Sequence, residues 1–280
     1  MELAKPDLVR CPFCQNGKAL FRCSSWNSFG QQSWSDTYRF GPYMPEVSPI
    51  QKCEKCGKYF FLSRQDIIYY KEVYVAEDEV DDDQLKLKMG DVDKETAGEL
   101  SRKDRLRRLC RLVSARQVAL HEIKSQRERA VNVEYYQIAL EMGYEMGNIG
   151  MGTTGKLNWN EVKQALCQFK DEELTTWERE QLFMLAVYKY NDKYYRYSQD
   201  AKVPPDEDKA IFVDCLNWLI KSGDLRNIVK AEFLRESERY EECLALLEKS
   251  KIDQENIHVA EMIKEKALQK DPVVFEINNE

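Results

Sequence analysis

Cys11-Pro12-Phe13-Cys14 and Cys53-Glu54-Lys55-Cys56-Gly57 are the residues of this chain best suited to chemistry. Two thiolates separated by two residues share one tight turn. Two such turns close on a tetrahedral Zn²⁺ at about 2.3 Å per Zn–S bond. Gly57 can take the left-handed conformation that turns backbone amides toward the sulfurs. Lys58-Tyr59-Phe60-Phe61 then reads as a short strand leaving the turn. The pairs are separated by 38 residues, positions 15 to 52, against roughly 15–20 in a simple ribbon. The site must therefore carry an inserted loop or hairpin. The expectation is a structural zinc held by Cys11, Cys14, Cys53 and Cys56. Four thiolates leave the ion no open position, so it is not catalytic. Cys23 is an alternative ligand, read in preference as a packed or free thiol.

Other chemistries fit less well. Cys11-Pro12-Phe13-Cys14 also matches a glutaredoxin active site, which needs a buried strand before it and a helix after it. Leu8-Val9-Arg10 is short for the first, and Gln15-Asn16-Gly17-Lys18 reads as a turn. Gly150-Met151-Gly152-Thr153-Thr154-Gly155-Lys156 matches seven positions of a phosphate-binding loop, but Leu157 stands where Ser or Thr must hold Mg²⁺. Gly143, Gly147, Gly150, Gly152 and Gly155 are read instead as a flexible connection between helices. Ile211-Phe212-Val213-Asp214 imitates a nucleotide-site strand inside a helical pattern. Asp91, Asp93 and Glu95 suggest a calcium loop, but its turn-glycine position is Thr96 and its bidentate acid position is Arg102. His121 and His258 lie in charged helices and are read as surface residues. No catalytic constellation emerges, so the chain is expected not to be an enzyme.

With 280 residues, 43% of them hydrophobic and 32% charged, the chain can fold into two soluble domains. No apolar run approaches the roughly 18–20 residues of a membrane span, and the N-terminus has no apolar leader. Four of the nine cysteines fall in the two pairs. Cys110, Cys167, Cys215 and Cys243 are scattered through helical patterns as small hydrophobes. That usage suits a reducing compartment, and the reading is cytoplasmic. The net charge of −7 conceals segregation. Residues 1–64 and 101–130 are basic, whereas 65–100 and 131–280 are acidic. Overall acidity argues against a dedicated nucleic-acid binder, while the two basic zones keep that alternative open.

Residues 1–63 read as a zinc-ribbon-like module, 64–98 as an acidic linker region, and 99–280 as an all-α domain. In the module, Ala19–Cys23 is a strand candidate. Trp26, Phe29, Trp34, Tyr38, Phe40 and Tyr43 crowd the insert, either as its small core or as a recognition surface. Ser63-Arg64-Gln65-Asp66 resembles a helix start. Downstream, Asn158–Glu161 and Thr175–Glu178 are capping boxes. Pro204-Pro205-Asp206 opens one helix, Ser222-Gly223 closes it, and Asp224 caps the next.

Residues 224–250 give a helical hairpin in which Ala231, Leu234, Tyr240, Cys243, Leu247 and Ser250 alternate small and large contacts. Ala231 to Leu244 resembles the tetratricopeptide repeat family over about 27 residues of unit. Glu255 stands about where that repeat carries proline. The whole chain resembles bacterial proteins joining a double-CxxC zinc-ribbon module to tetratricopeptide-like helical repeats, a resemblance that implies no activity. The expected fold is mainly α, with tetratricopeptide-like helical hairpins and a small N-terminal β module. The expected role is a non-enzymatic scaffold or adaptor for a protein or peptide partner, with no membrane. The alternative is a nucleic-acid-associated regulator using the basic module and the Arg102–Arg111 helix. The favoured role for that basic helix is neutralisation of the acidic stretch Glu77–Asp83, with Leu106, Leu109 and Val113 facing a helical partner.

Overall fold

The structure is a computed structural model. It describes all residues except 1, 26–28, 42–46, 72–79, 81–82, 86–101, 146–151, 198–202, 223–224 and 278–280. As expected, it is mainly helical with small sheets toward the N-terminus. Strands β2 (Asp7–Arg10) and β3 (Gly17–Leu20) flank the first cysteine pair. Strands β7 (Ile50–Lys52) and β8 (Tyr59–Phe61) flank the second. Each pair is an antiparallel hairpin, with Arg10 opposite Gly17 and Lys52 opposite Tyr59. Short β1 (Glu2–Leu3) pairs with β4 (Cys23–Ser25). In the insert, β5 (Gln32–Trp34) and β6 (Arg39–Phe40) form a third hairpin, and β10 (Glu276–Ile277) adds to β5.

The expected helix start at Ser63 is a single 3₁₀ turn, Leu62–Arg64, followed by β9 (Ile67–Ile68). The β-branched pair outweighs the capping signal. Ile67 and Ile68 pair with Val9 and Leu8, completing the sheet order β3-β2-β9. The acidic run at residues 77–79 and 81–82 lies outside the described residues.

Helix α1 (Arg102–Val131) leads into α2 (Val133–Glu141). Helices α3 (Trp159–Gln168) and α4 (Thr176–Asn191) open with complete capping boxes, Asn158 with Glu161 and Thr175 with Glu178. A π-helical turn, Asp192–Arg196, extends α4. After Pro204-Pro205 comes α5 (Asp206–Ser222), with three acids in its first turn where the helix dipole favours them. Residues 223 and 224 lie outside the described set, and Arg226 occupies the N-cap of α6 (Asn227–Glu236). Glu238, at φ 63°, turns the chain into α7 (Tyr240–Lys249), and α8 (Ile257–Leu268) follows. Among the described residues no helix is long and apolar enough to cross a membrane.

Three packed clusters explain this order. Ala231, Leu234, Cys243, Leu247, Ala260 and Ile263 join α6, α7 and α8. The largest core fills the space among α3, α4, α5 and α6, and Ile50, Tyr59 and Phe61 of the second hairpin belong to it. Leu8 and Ala19 of the first hairpin pack instead with Tyr135, Tyr136, Ile138 and Ala139 of α2. Core packing thus crosses residue 63 from both hairpins.

Candidate metal centre

The two hairpins bring Cys11, Cys14, Cys53 and Cys56 together, with all four Sγ atoms within 4.8 Å of one another. Cys11 Sγ lies 3.7 Å from Cys56 Sγ, and Cys14 Sγ 3.6 Å from Cys53 Sγ. A tetrahedral ion with metal–sulfur bonds of about 2.3 Å needs sulfur–sulfur edges of about 3.8 Å. The cluster therefore fits one such ion. Cys11 and Cys53 are buried, Cys14 is half-buried, and Cys56 is exposed.

Backbone geometry builds each half. The Cys11 amide donates to the Asn16 carbonyl and the Gln15 amide to that of Cys11. In the second turn, Cys53 donates to Lys58 and Gly57 to Cys53. The residue after each second cysteine is left-handed, Gln15 at φ 59° and Gly57 at φ 72°. Gly57 was legible in the sequence; Gln15 does the same task with a side chain that disfavours it. Burial resists ionisation of Cys53, but amide donors from Cys56 and Lys55, aided by the Cys14 and Cys56 thiols, hold it down to about 7. Burial pushes Cys11 up to about 12. One thiolate forms readily while its neighbour resists, and a cation is what lets closely spaced thiolates coexist.

A connecting segment ties the hairpins together beside the sulfurs. Thr153 donates its amide to the Ala19 carbonyl and accepts at its own carbonyl from the Phe21 amide, both at 2.9 Å. The Ser48 amide donates to the Thr154 carbonyl, also at 2.9 Å. A Cβ on Gly152 would meet the Leu20 carbonyl carbon at 2.6 Å, and one on Gly155 would meet Gln51 Oε1 at 1.8 Å. Both glycines have positive φ. At these two positions glycine therefore allows close approach to the hairpins, which corrects the reading of Gly152 and Gly155 as part of a flexible connection between helices. Lys156 is exposed, Leu157 enters the main core, and α3 begins at Trp159. Gly147, Gly150 and Met151 lie outside the described residues. Lys18 Nζ donates to the Lys52 carbonyl at 3.0 Å, adding a side-chain tie between the halves.

No family model, curated protein or solved structure matches this chain.

The other candidates separate from the centre. Cys23 lies in β4, outside the four-sulfur cluster. Cys215 and Cys243 are buried, and burial pushes both thiols up to about 12, as expected of packing residues. Cys167 is exposed on α3. His121 and His258 are exposed on α1 and α8. Ile211–Asp214 is helical, within α5. The Arg102–Arg111 run lies on α1, whose residues Ala119, Leu120 and Ile123 pack with Val80 and Leu85. Within the insert, Trp26 and Tyr43 lie outside the described residues, and Phe29 is exposed. Trp34 and Tyr38 instead pack against the Arg196 guanidinium, 5.1 and 4.2 Å from their ring centroids.

Several anchors had no legible signal. Asp36, in the turn between β5 and β6, is fully buried and ion-paired with Arg196. Asn191 Nδ2 bridges Asp36 and Glu236 at 2.9 and 3.0 Å. Gln168 clasps the backbone of Tyr59, accepting from its amide at 2.9 Å and donating to its carbonyl at 2.7 Å, and Tyr59 Oη donates to Gln164. A glutamine on a helix face carries no sequence mark distinguishing this task from solvation.

Proposed function

We propose that this protein is a non-enzymatic adaptor, its four thiolates holding a structural Zn²⁺ and its helices offering a tetratricopeptide-like surface to a protein or peptide. The observation that carries this reading is the continuous helical array behind a closed metal site. Along α3 to α8 each helix packs on the next. In the α6–α7 hairpin, Ala231 and Cys243 are the small contacts and Leu234 and Leu247 the large ones. Paired helices stacked in this way build extended surfaces suited to polypeptide ligands. Zinc is favoured over other ions because four thiolates in tetrahedral array are its structural ligand set. With all positions filled by sulfur, the ion stabilises and does no chemistry.

Affinity capture followed by reconstitution with the purified partner tests this reading. A stoichiometric complex is expected, whose hydrogen-exchange footprint falls on α3 to α8. A footprint confined to α1 would remove the helical array from recognition.

The second reading, a nucleic-acid-associated regulator, draws on α1, where Arg111 and Arg116 are exposed and residues 101–130 carry ten Lys/Arg against three Asp/Glu. It requires an RNA or DNA affinity that falls about 10³-fold or more between roughly 50 and 200 mM salt. It further requires that charge reversal along Arg102–Arg111 abolish binding.

A further inference from the structure

The turn between β5 and β6 docks on the helices through a buried cluster of charge. Asp36 from the turn, Arg196 from the π-helical turn, and Glu232, Arg235 and Glu236 from α6 are all withdrawn from solvent. Both guanidinium groups are already committed. Arg235 holds both carboxylate oxygens of Glu232, from Nε at 2.8 Å and from Nη2 at 2.5 Å. Arg196 holds Asp36 and, through its other terminal nitrogen, Asp192, which Lys189 shares at 2.8 Å. Three buried acids thus face two buried cations. Glu236 is the one left over, with no ion-pair partner among the described residues.

Its hydrogen bonding is half complete. Glu236 Oε2 accepts from Asn191 Nδ2 at 3.0 Å, while Glu236 Oε1 is enclosed without a partner. The oxygen of that same amide, Asn191 Oδ1, is likewise enclosed without a partner. Both orphans are acceptors, on two side chains that already share a hydrogen bond, and unmet buried acceptors are costly. A carboxylic acid and a primary amide can pair through both ends, N–H to one oxygen and O–H to the other. A proton on Glu236 Oε1 would supply the missing donor.

The surrounding charges favour the same form. Glu236 faces Asp36 across the joint, Glu232 and Arg235 on its own helix, and the Tyr195 phenol from the π-helical turn. Farther out, Asp271 pairs with Lys266, Lys209 with Glu238 and Arg239 with Glu242, so none of them brings a free cation. Burial above all, then the Glu232 and Asp36 carboxylates, drives the Glu236 carboxyl well above its ordinary value, against the pull of Arg235 and the Asn191 amide.

We propose that the folded protein holds a proton at Glu236, shared with the Asn191 amide, as a latch that docks the β5–β6 hairpin on α4 and α6, and that losing this proton as pH rises undocks the hairpin. Ionised, Glu236 faces two carboxylates with no cation to spare, and a buried unpaired charge must be hydrated or relieved. The hairpin is the part that yields. Its strands hold three and two residues, whereas Asn191 and Glu236 end helices of the main array.

Glu236→Gln tests this, because glutamine keeps the shape and the donor of the neutral acid at every pH. The readout is the folding equilibrium constant of the full chain from denaturant unfolding, parent over Glu236→Gln. A folded value raised above the unfolded 4.5 gives stability that is present below 4.5 and lost as pH rises. The ratio should therefore fall about tenfold per pH unit above 4.5 until Glu236 ionises in the fold. At neutral pH the infrared carbonyl band of a protonated carboxyl should be present in the parent and missing from the variant. Undocking is read from the ¹⁹F signal of Trp34 in fluorotryptophan-labelled protein, assigned by Trp34→Phe, since that ring packs on Arg196. It should shift with rising pH in the parent and stay in place in Glu236→Gln. A ratio that does not change with pH, an absent carbonyl band, or a Glu236→Gln that fails to fold at neutral pH would overturn the bound proton. A Trp34 signal that shifts equally in both proteins would overturn the latch.

Discussion

The two cysteine hairpins do the same job on different supports. The β2–β3 hairpin packs on one short helix, α2, through Leu8 and Ala19, and on the second hairpin through Val9 and Leu20. Around it are contacts near the surface: Arg10 with Glu141, and Lys5 Nζ donating to Tyr136 Oη at 2.7 Å. The β7–β8 hairpin is part of the main core. Phe61 packs on Phe169 with ring centroids 4.8 Å apart, Gln168 holds both backbone groups of Tyr59, and Lys52 pairs with Glu161 at 2.9 Å. The turns differ in the same sense, with glycine left-handed in the second and glutamine in the first. The second hairpin is thus set by the helices, whereas the first reaches it through Val9, Cys11 and Leu20 packed with Cys53 and Phe60 and through the Thr153–Thr154 segment. A metal ion held by the four thiolates would add a rivet between α2 and the α3–α6 core. Chelation should accordingly reach the helices, not stop at residue 63.

The sharpest break between the halves is metal removal. Structural zinc contributes on the order of 10 kcal/mol in small thiolate modules, so its loss should dominate every point substitution. In the chelated protein, hydrogen exchange should accelerate at Leu8 and Val9 while Tyr59 and Phe61 stay protected. Equal deprotection of both hairpins would remove the asymmetry.

Phe61→Ala should cost about 3–5 kcal/mol by denaturant unfolding, because it empties a site shared by the hairpin and α3. Retained stability would mean that the second hairpin only leans on the core.

The ion pair joining the 3₁₀ turn to α4 gives a pH test. Arg64 above all, with the Thr175 amide and hydroxyl, holds the Glu178 carboxyl down to about 2 against burial. A folded value below the unfolded 4.5 gives stability that is fully present above that value and lost as pH falls toward 2. Because Arg64 is partly exposed, Glu178→Gln should cost only about 1–2 kcal/mol at neutral pH. The difference from the parent protein should vanish in strongly acidic solution. A pH-independent difference would show that Glu178 acts by packing alone.

The smallest effects should have opposite signs. Gln15→Gly should stabilise the protein by about 0.5–1 kcal/mol by relieving the left-handed strain, and Gly57→Ala should destabilise it by about 1–2 kcal/mol. A Cβ on Gly57 has nothing within 4 Å, so its effect is backbone conformation alone. Same-signed changes in thermal midpoint would contradict the equivalence of the two turns.

How much of this was readable from residues depended on how local the cause is. The cysteine turns, the capping boxes at Asn158 and Thr175, and the small-large alternation through Ala231 and Leu247 are short-range patterns, and they located the metal centre and the helices. Asp36, Arg196 and Glu236 meet across some 200 residues, a relation composition cannot show. Pairing of Ile67–Ile68 with β2 likewise reversed a local helix signal. The glycines at 152 and 155 were visible, but their reason lay in Leu20 and Gln51, far away in the chain.

X-ray absorption at the zinc edge, with metal content measured on the same sample, tests the thiolate rivet most directly. One zinc per chain is expected, with four sulfur neighbours at about 2.3 Å and loss of that shell in Cys53→Ser. Zinc-free folded protein, nitrogen or oxygen ligands in the shell, or a Cys11–Cys14 disulfide in fresh preparations would contradict it.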